Sequence, residues 1–215
     1  MKTTARVALV DYGAGNIRSG AKALERSGLA GDVTDSPSVV AGADGVVLPG
    51  AGAFADAMAN LRATGLEDAV REAIADGRPY LGLCVGIQLL FEEGDEHGVN
   101  PGLGVFAGRV ERFSEEADDG SRLRVPQIGW NEVVFQGDHP MTNLLPERAH
   151  YYFVHSYRPV PADSSIVAGV CDYGGNFAAA VANRSVFAVQ FHPEKSQHAG
   201  KRLLDAYRSW VETRR

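Results

Sequence analysis

Cysteine is scarce in this chain, with Cys84 and Cys171 the two present among 215 residues. They sit far apart in unlike surroundings. This excludes a small scaffold held by a disulfide framework and fits a reducing compartment, so a cytoplasmic location is expected. Long apolar runs are also missing. The run from Val7 to Val10 stops at Asp11, too short for the core of a signal peptide, and nothing approaches the roughly 20 apolar residues of a membrane span. Positive charge is in deficit: 21 Lys and Arg against 27 Asp and Glu leave a formal charge of -6. A nucleic-acid binder usually needs a concentrated basic surface to displace counterions, so no nucleic-acid partner is expected and a small-molecule substrate fits better. Internal repeats, low-complexity tracts and linkers are absent too. A chain that is 45% hydrophobic and 22% charged can bury a large core, and residues 1–215 are read as one compact domain.

The first half alternates short β-branched runs with helix-period segments, the pattern of βα units on a parallel sheet. Strands are expected at Val7–Val10, Val46–Leu48 and Tyr80–Leu83. Apolar stripes at helical spacing are carried by Ile17, Ala21 and Leu24, by Phe54, Met58 and Leu61, and by Leu66, Val70 and Ile74. From Gly94 onward Gly and Pro become frequent and short alternating runs appear at Val105–Phe113, Glu132–Phe135 and Tyr151–Ser156, which predicts an antiparallel portion. Hairpin turns at Tyr173-Gly174-Gly175-Asn176 and Asn183-Arg184 join Ile166–Cys171, Phe177–Ala182 and Val186–Phe191. Glu115 to Ser121 reads as a solvated hairpin tip. A closing amphipathic helix carries Leu203, Leu204, Tyr207, Trp210 and Val211 and ends in Arg214 and Arg215, which suit a helix C-terminus.

The sharpest chemical signal is Gly82-Leu83-Cys84-Val85-Gly86, placed where a buried strand ends and the apolar run Ile87, Leu89, Leu90, Phe91 begins. A nucleophile elbow needs small residues two before and two after the nucleophile, because the turn leaves no room for larger side chains. Such a turn would expose the sulfur at a helix N-terminus, which favours the thiolate. The alternative is a buried core cysteine in a Gly-rich turn. A thiolate nucleophile needs a base, and the base an orienting acceptor; Gln190-Phe191-His192-Pro193-Glu194 offers both. Pro193 holds His192 extended, so that the side chains at 192 and 194 can emerge together. Zinc bound by Cys84, His192, Glu194 and His198 is the metal alternative, but no dense Cys/His cluster supports it, and neither a metal nor another cofactor is expected. The loop Pro49-Gly50-Ala51-Gly52-Ala53-Phe54 follows another strand and opens a helix, so its amides can supply half of an oxyanion hole, with the Val85 amide as the other half. Gly13-Ala14-Gly15 invites a dinucleotide reading, but Arg18 stands where the third glycine belongs.

Together the Gly-x-Cys-x-Gly elbow and the later His-Pro-Glu segment resemble the class I glutamine amidotransferases, which carry a Cys-His-Glu triad on a flavodoxin-like three-layer α/β fold with a mostly parallel central sheet. Tyr12-Gly13-Ala14-Gly15-Asn16, Ile128-Gly129-Trp130-Asn131-Glu132, Tyr151 to Tyr157 and Phe191 to Ser196 are similar to the glutaminase subunits of imidazole glycerol phosphate synthase. Oxyanion loops of the Gly-Gly-Glu-Ser and Pro-Gly-Gly-Pro types, found in related families, are absent, and Ala51 replaces the Val of many relatives. The resemblance implies a triad of Cys84, His192 and Glu194, with Ala51 and Val85 forming the oxyanion hole. It further implies glutamine held by Gly52, Gln88, Glu96, His155, Ser156 and Tyr157, and docking through Asn16, Trp130 and Lys195 on a (β/α)8-barrel cyclase subunit as a heterodimer. The residues alone leave Glu96 open to being part of a solvated acidic run, Trp130 a core aromatic, Lys195 a solvated lysine and Asn16 a helix N-cap.

Overall fold

The computed structural model describes residues 5–13 and 17–214, with Ala30 described by its backbone alone. In chain order the regular elements are β1 (Arg6–Val10), α1 (Ile17–Arg26), β2 (Ala30–Thr34), α2 (Pro37–Ala41), β3 (Gly45–Leu48), α3 (Phe54–Ala63), α4 (Leu66–Ala75) and β4 (Tyr80–Leu83). Then come α5 (Val85–Gln88), β5 (Phe91–Gly94), β6 (Asn100–Pro101), β7 (Phe106–Arg112), β8 (Gln127–Phe135) and β9 (Arg148–His155). The last are β10 (Tyr157–Pro161), β11 (Val167–Asp172), β12 (Asn176–Asn183), β13 (Val186–Val189) and α6 (Gln197–Thr213).

Nine strands form one sheet in the order β2-β1-β3-β4-β13-β12-β11-β8-β9. From β2 to β13 neighbouring strands run parallel, and from β13 to β9 they run antiparallel. The expected mostly parallel centre with an antiparallel portion is therefore one continuous sheet. A second sheet, β10-β7-β5-β6, pairs β5 with β7 in parallel and its other neighbours antiparallel.

β1, β3 and β4 read as near-continuous apolar runs because both faces of a parallel sheet are covered. Val7 and Leu9 of β1 pack with Leu24 of α1 and Leu203, Tyr207 and Trp210 of α6 on one face. Ala8 and Val10 pack on the other face with Phe54, Met58, Leu61, Leu66 and Val70 of α3 and α4. This period-two division produces the helix–sheet–helix layering. The Tyr207 hydroxyl, wholly buried, donates to the carbonyls of Val46 and Pro79 at 3.1 and 3.0 Å, tying α6 to the starts of β3 and β4.

The helix expected after Cys84 is a single turn. α5 stops at Gln88, and Phe91 already belongs to β5. Leu89 and Leu90 are buried, and their carbonyls accept from Leu103, Val105 and Phe106, which draws the chain into the second sheet. Four residues give little dipole, so the expected helix-end contribution to thiolate stability is small here. The calls that fall on Ala14, Gly15, Asn16 and Arg215 lie outside the described residues.

Candidate active site

The site lies at the carboxyl ends of the central parallel strands, where open α/β sheets place their crevices. β4 is followed directly by Cys84, whose φ and ψ of 53° and -109° are unusual for a residue with a side chain. The surrounding packing imposes this conformation. A Cβ on Gly86 would lie 2.1 Å from the Leu48 carbonyl oxygen, one on Gly82 2.7 Å from the Gly86 carbonyl oxygen, and one on Gly50 2.4 Å from the Val85 Cβ. The steric need for Gly82 and Gly86 thus holds, and Gly50 shares it. Two buried phenols brace the turn: Tyr80 donates to the Gly86 carbonyl and Tyr12 to the Pro49 carbonyl, both at 3.0 Å. Burial first, and then the neighbouring Cys84 charge, pushes the Tyr12 phenol well up, so it remains a donor.

His192 arrives from the adjacent strand. β13 pairs with β4, and the Cys84 amide donates to the Val189 carbonyl at 2.8 Å. His192 is extended (φ -107°, ψ 94°) before Pro193, and its amide donates to the Tyr152 carbonyl at 2.9 Å. Ser196 accepts from the Tyr152 amide and donates to the His192 carbonyl, fixing the turn. The His192 Nδ1 meets Glu194 Oε1 at 2.8 Å, and Nε2 has no protein partner. Burial opposes a charge on this imidazole, but Cys84 and Glu194 outweigh it and raise its pKa to about 10. The geometry therefore favours an imidazolium beside the sulfur at neutral pH.

A cavity of about 340 Å³ is lined by Ala51, Gly52, Cys84, Val85, Gln88, Glu96, Val154, His155, Ser156, Tyr157, His192 and Lys195. It gathers the residues expected to form the oxyanion hole and hold glutamine, with Glu194 directly behind His192. Glu96 is no solvated bystander: its Oε2 accepts from the Phe54 amide at 2.8 Å and caps α3, whose N-cap Ala53 has no side-chain acceptor. Gln88 donates to the Tyr157 carbonyl at 3.0 Å and to Gln190 at 3.1 Å. His155 joins the Tyr157 carbonyl through Nδ1 at 2.8 Å. Its pKa is lowered to about 4 by burial and, to a lesser extent, by His192.

Two residues were not singled out from the sequence. Val154 lines the cavity, and Gln190, fully buried, sets its amide nitrogen 3.8 Å from the Cys84 sulfur. A long amide beside an expected base in an otherwise apolar strand end was the available signal for Gln190. The second thiol, Cys171, is buried and pushed up to about 12, mainly by desolvation, which leaves it inert as a nucleophile.

Trp130 is 46% exposed, which overturns the core-aromatic alternative. It meets the Tyr152 ring edge-on at 6.1 Å, and the Lys195 ammonium lies 5.7 Å from the centre of the same ring. With Ile128 exposed nearby on β8, these groups form an apolar and aromatic surface that reaches the cavity rim through Lys195. Among the described residues there is no group of three or more His, Cys, Asp and Glu able to hold a metal, and no helix long and apolar enough to cross a membrane.

With the site defined, the relatives of the chain can be compared. The model of the glutamine amidotransferase class-I family matches residues 8–206. The imidazole glycerol phosphate synthase subunit HisH of Aromatoleum aromaticum is 50% identical over 95% of this chain and 98% of its own length. That of Dechloromonas aromatica is 49% identical, over 95% and 96%, and that of Acinetobacter baylyi 45%, over 95% and 98%. Among solved structures, PurLQS from Thermotoga maritima superposes with a TM-score of 0.74 at 19% identity, over 97% of this chain and 100% of the other. The glutaminase domain of Trypanosoma brucei CTPS, with bound acivicin, gives 0.68 at 15%, over 98% and 94%. The chain belongs to the class I glutamine amidotransferases and, within them, to the HisH subunits of imidazole glycerol phosphate synthase.

Proposed function

We propose that this chain, working as a single glutamine amidotransferase domain in the cytoplasm, hydrolyses glutamine to glutamate and ammonia. The ammonia passes to a (β/α)8-barrel cyclase subunit, which uses it to form imidazole glycerol phosphate and AICAR in histidine biosynthesis. The observation that carries the reading is Cys84, held in its left-handed turn in one cavity with His192, itself 2.8 Å from Glu194.

The Cys84 thiolate attacks the side-chain amide carbon of glutamine, and the carbonyl electrons move to oxygen, stabilised by the Ala51 and Val85 amides. His192, protonated at neutral pH, gives its proton to the departing nitrogen as the C–N bond breaks, leaving a γ-glutamyl thioester and ammonia. The neutral imidazole then takes a proton from water, which attacks the thioester and frees glutamate and the thiolate. Glu194 fixes the ring through Nδ1. Glu96 receives the substrate ammonium, while Gly52, Gln88 and the 155–157 segment hold the rest of the amino acid.

Free ammonia is protonated and lost in water, so a sealed route to a second subunit makes chemical sense. The Trp130–Tyr152–Lys195 surface beside the cavity is the docking face of this reading, and Asn16 is assigned to it by resemblance. Glutaminase activity is expected to be slight for the isolated chain and to rise strongly when cyclase and its ribonucleotide substrate are both added. Trp130→Ala and Lys195→Ala should weaken that rise while leaving the melting temperature nearly unchanged. Full activity from the chain alone, indifferent to the nucleotide, would leave a stand-alone glutaminase.

A further inference from the structure

Beside the nucleophile lies a buried chain of amides. The Tyr157 carbonyl accepts from Gln88 Nε2 at 3.0 Å, the same nitrogen lies 3.1 Å from Gln190 Oε1, and Gln190 Nε2 lies 3.8 Å from Cys84 Sγ. Gln190 is 0% exposed and Gln88 4%. A side-chain amide can be turned end for end, but a backbone carbonyl can only accept. The Tyr157 carbonyl therefore obliges Gln88 to present its NH2 group. That group obliges Gln190 to present its oxygen, and the oxygen leaves Gln190 with only its N–H groups to direct at the sulfur. His155 Nδ1, 2.8 Å from the same carbonyl, adds a second donor at the anchor.

We infer that Gln190 is a positioning residue for the reaction, an amide whose polarity is locked by the Tyr157 carbonyl so that it always offers an N–H to the Cys84 sulfur. A thiol accepts such a bond weakly and a thiolate strongly, so the contact favours the nucleophilic form. A residue needed for packing alone would more simply be apolar here, because a buried amide without partners is costly.

The inference rests on Cys84 being the nucleophile, and both can be tested on the full chain. The rate of iodoacetamide alkylation at Cys84, located by peptide mass spectrometry, is measured from pH 5 to 11 for the natural chain, Gln190→Met and Gln190→Leu. Both variants are expected to show the profile displaced upward by about one pH unit, reacting up to about tenfold more slowly on its acid limb and recovering the natural rate at the alkaline end. A role in packing alone would lower the melting temperature without displacing the profile, and an unchanged profile in the folded variants overturns the inference. Gln190→Met keeps the length of the side chain, so it carries the test if Gln190→Leu does not fold. Cys84→Ala serves as the separate control: glutaminase activity retained there would remove the nucleophile assignment itself, whatever the Gln190 variants do.

Discussion

At the scale of single residues, the site is made by steric exclusion as much as by reactive groups. Cys84 occupies φ 53° and ψ -109°, a backbone region that stores about 1–3 kcal/mol in a residue with a Cβ. Glycine is normally worse than alanine by about 0.5–1 kcal/mol inside regular structure. Here the order should invert. Cys84→Gly is expected to be more stable than Cys84→Ala by about 1 kcal/mol in urea unfolding, both being inactive; alanine the more stable would mean that the turn relaxes once the sulfur is gone. At Gly86 the conflict is with rigid backbone, since an added Cβ would meet the Leu48 carbonyl oxygen at 2.1 Å. Gly86→Ala should therefore move both β3 and β4, at a cost above the usual 1–3 kcal/mol of overpacking, and should lose activity with stability. His192 illustrates the opposite balance, in which burial is outweighed by the neighbouring Cys84 and Glu194, which raise the pKa of the ring.

At the scale of elements, α3 shows how one side chain can serve fold and site together. Glu96 caps the helix through the Phe54 amide and also faces the cavity. Glu96→Gln retains an oxygen able to accept from Phe54, so the stability loss should stay within about 1 kcal/mol. The charge that meets the substrate ammonium is lost, so KM for glutamine should rise severalfold more than kcat falls. An unchanged KM would confine Glu96 to capping. This double use was not legible from the sequence, where Glu96 stands beside Glu92, Glu93 and Asp95 in what looks like a solvated run. The capping partner lies 42 positions away, beyond any local pattern. The strands β1, β3 and β4, the stripes of α1, α3 and α4 and the two hairpins were legible, because continuous apolar runs, 3.6-residue stripes and turn residues are local and uninterrupted signals. α5 was overextended for the converse reason: a short apolar run does not distinguish a helix from a buried loop, and the bonds that end it come from residues 103–106. β2, β5, β6 and β10 carry too few apolar residues to announce themselves. His192 and Glu194 could be paired from the sequence because Pro193 restricts the backbone between them, whereas Gln190 and Gln88, 102 positions apart, could not.

At the scale of the whole molecule, three buried histidines give stability two distinct dependences on pH. His139 lies between Phe187, stacked at 5.5 Å, and Trp210, edge-on at 4.8 Å, with Nδ1 accepting from the Met141 amide. Burial chiefly, aided by the charge of Arg214, lowers its pKa from 6.5 to about 4. His155, among Phe113, Phe153 and Phe177, is likewise lowered from 6.5 to about 4, again chiefly by burial. For both, the unfolded chain takes up a proton near pH 6.5 while the folded chain resists until about pH 4. Stability is therefore full above the unfolded value and falls as the pH drops through that window, by up to about 1.4 kcal/mol per pH unit for each ring. His192 has the opposite sign. Its folded pKa is raised to about 10, so its contribution is complete below the unfolded value and is lost only as the pH rises toward 10. It is flat across the acid window and cannot mask the other two. Urea unfolding at half-unit steps should accordingly show stability declining between pH 6.5 and 4 with a slope near two protons. His139→Asn retains an acceptor for Met141 but does not titrate in this range; it should be less stable at pH 7, through lost aromatic packing, yet show about half the acid slope. The same slope in this variant as in the natural chain would show that the acid sensitivity arises elsewhere, and that the ring between Phe187 and Trp210 serves packing alone.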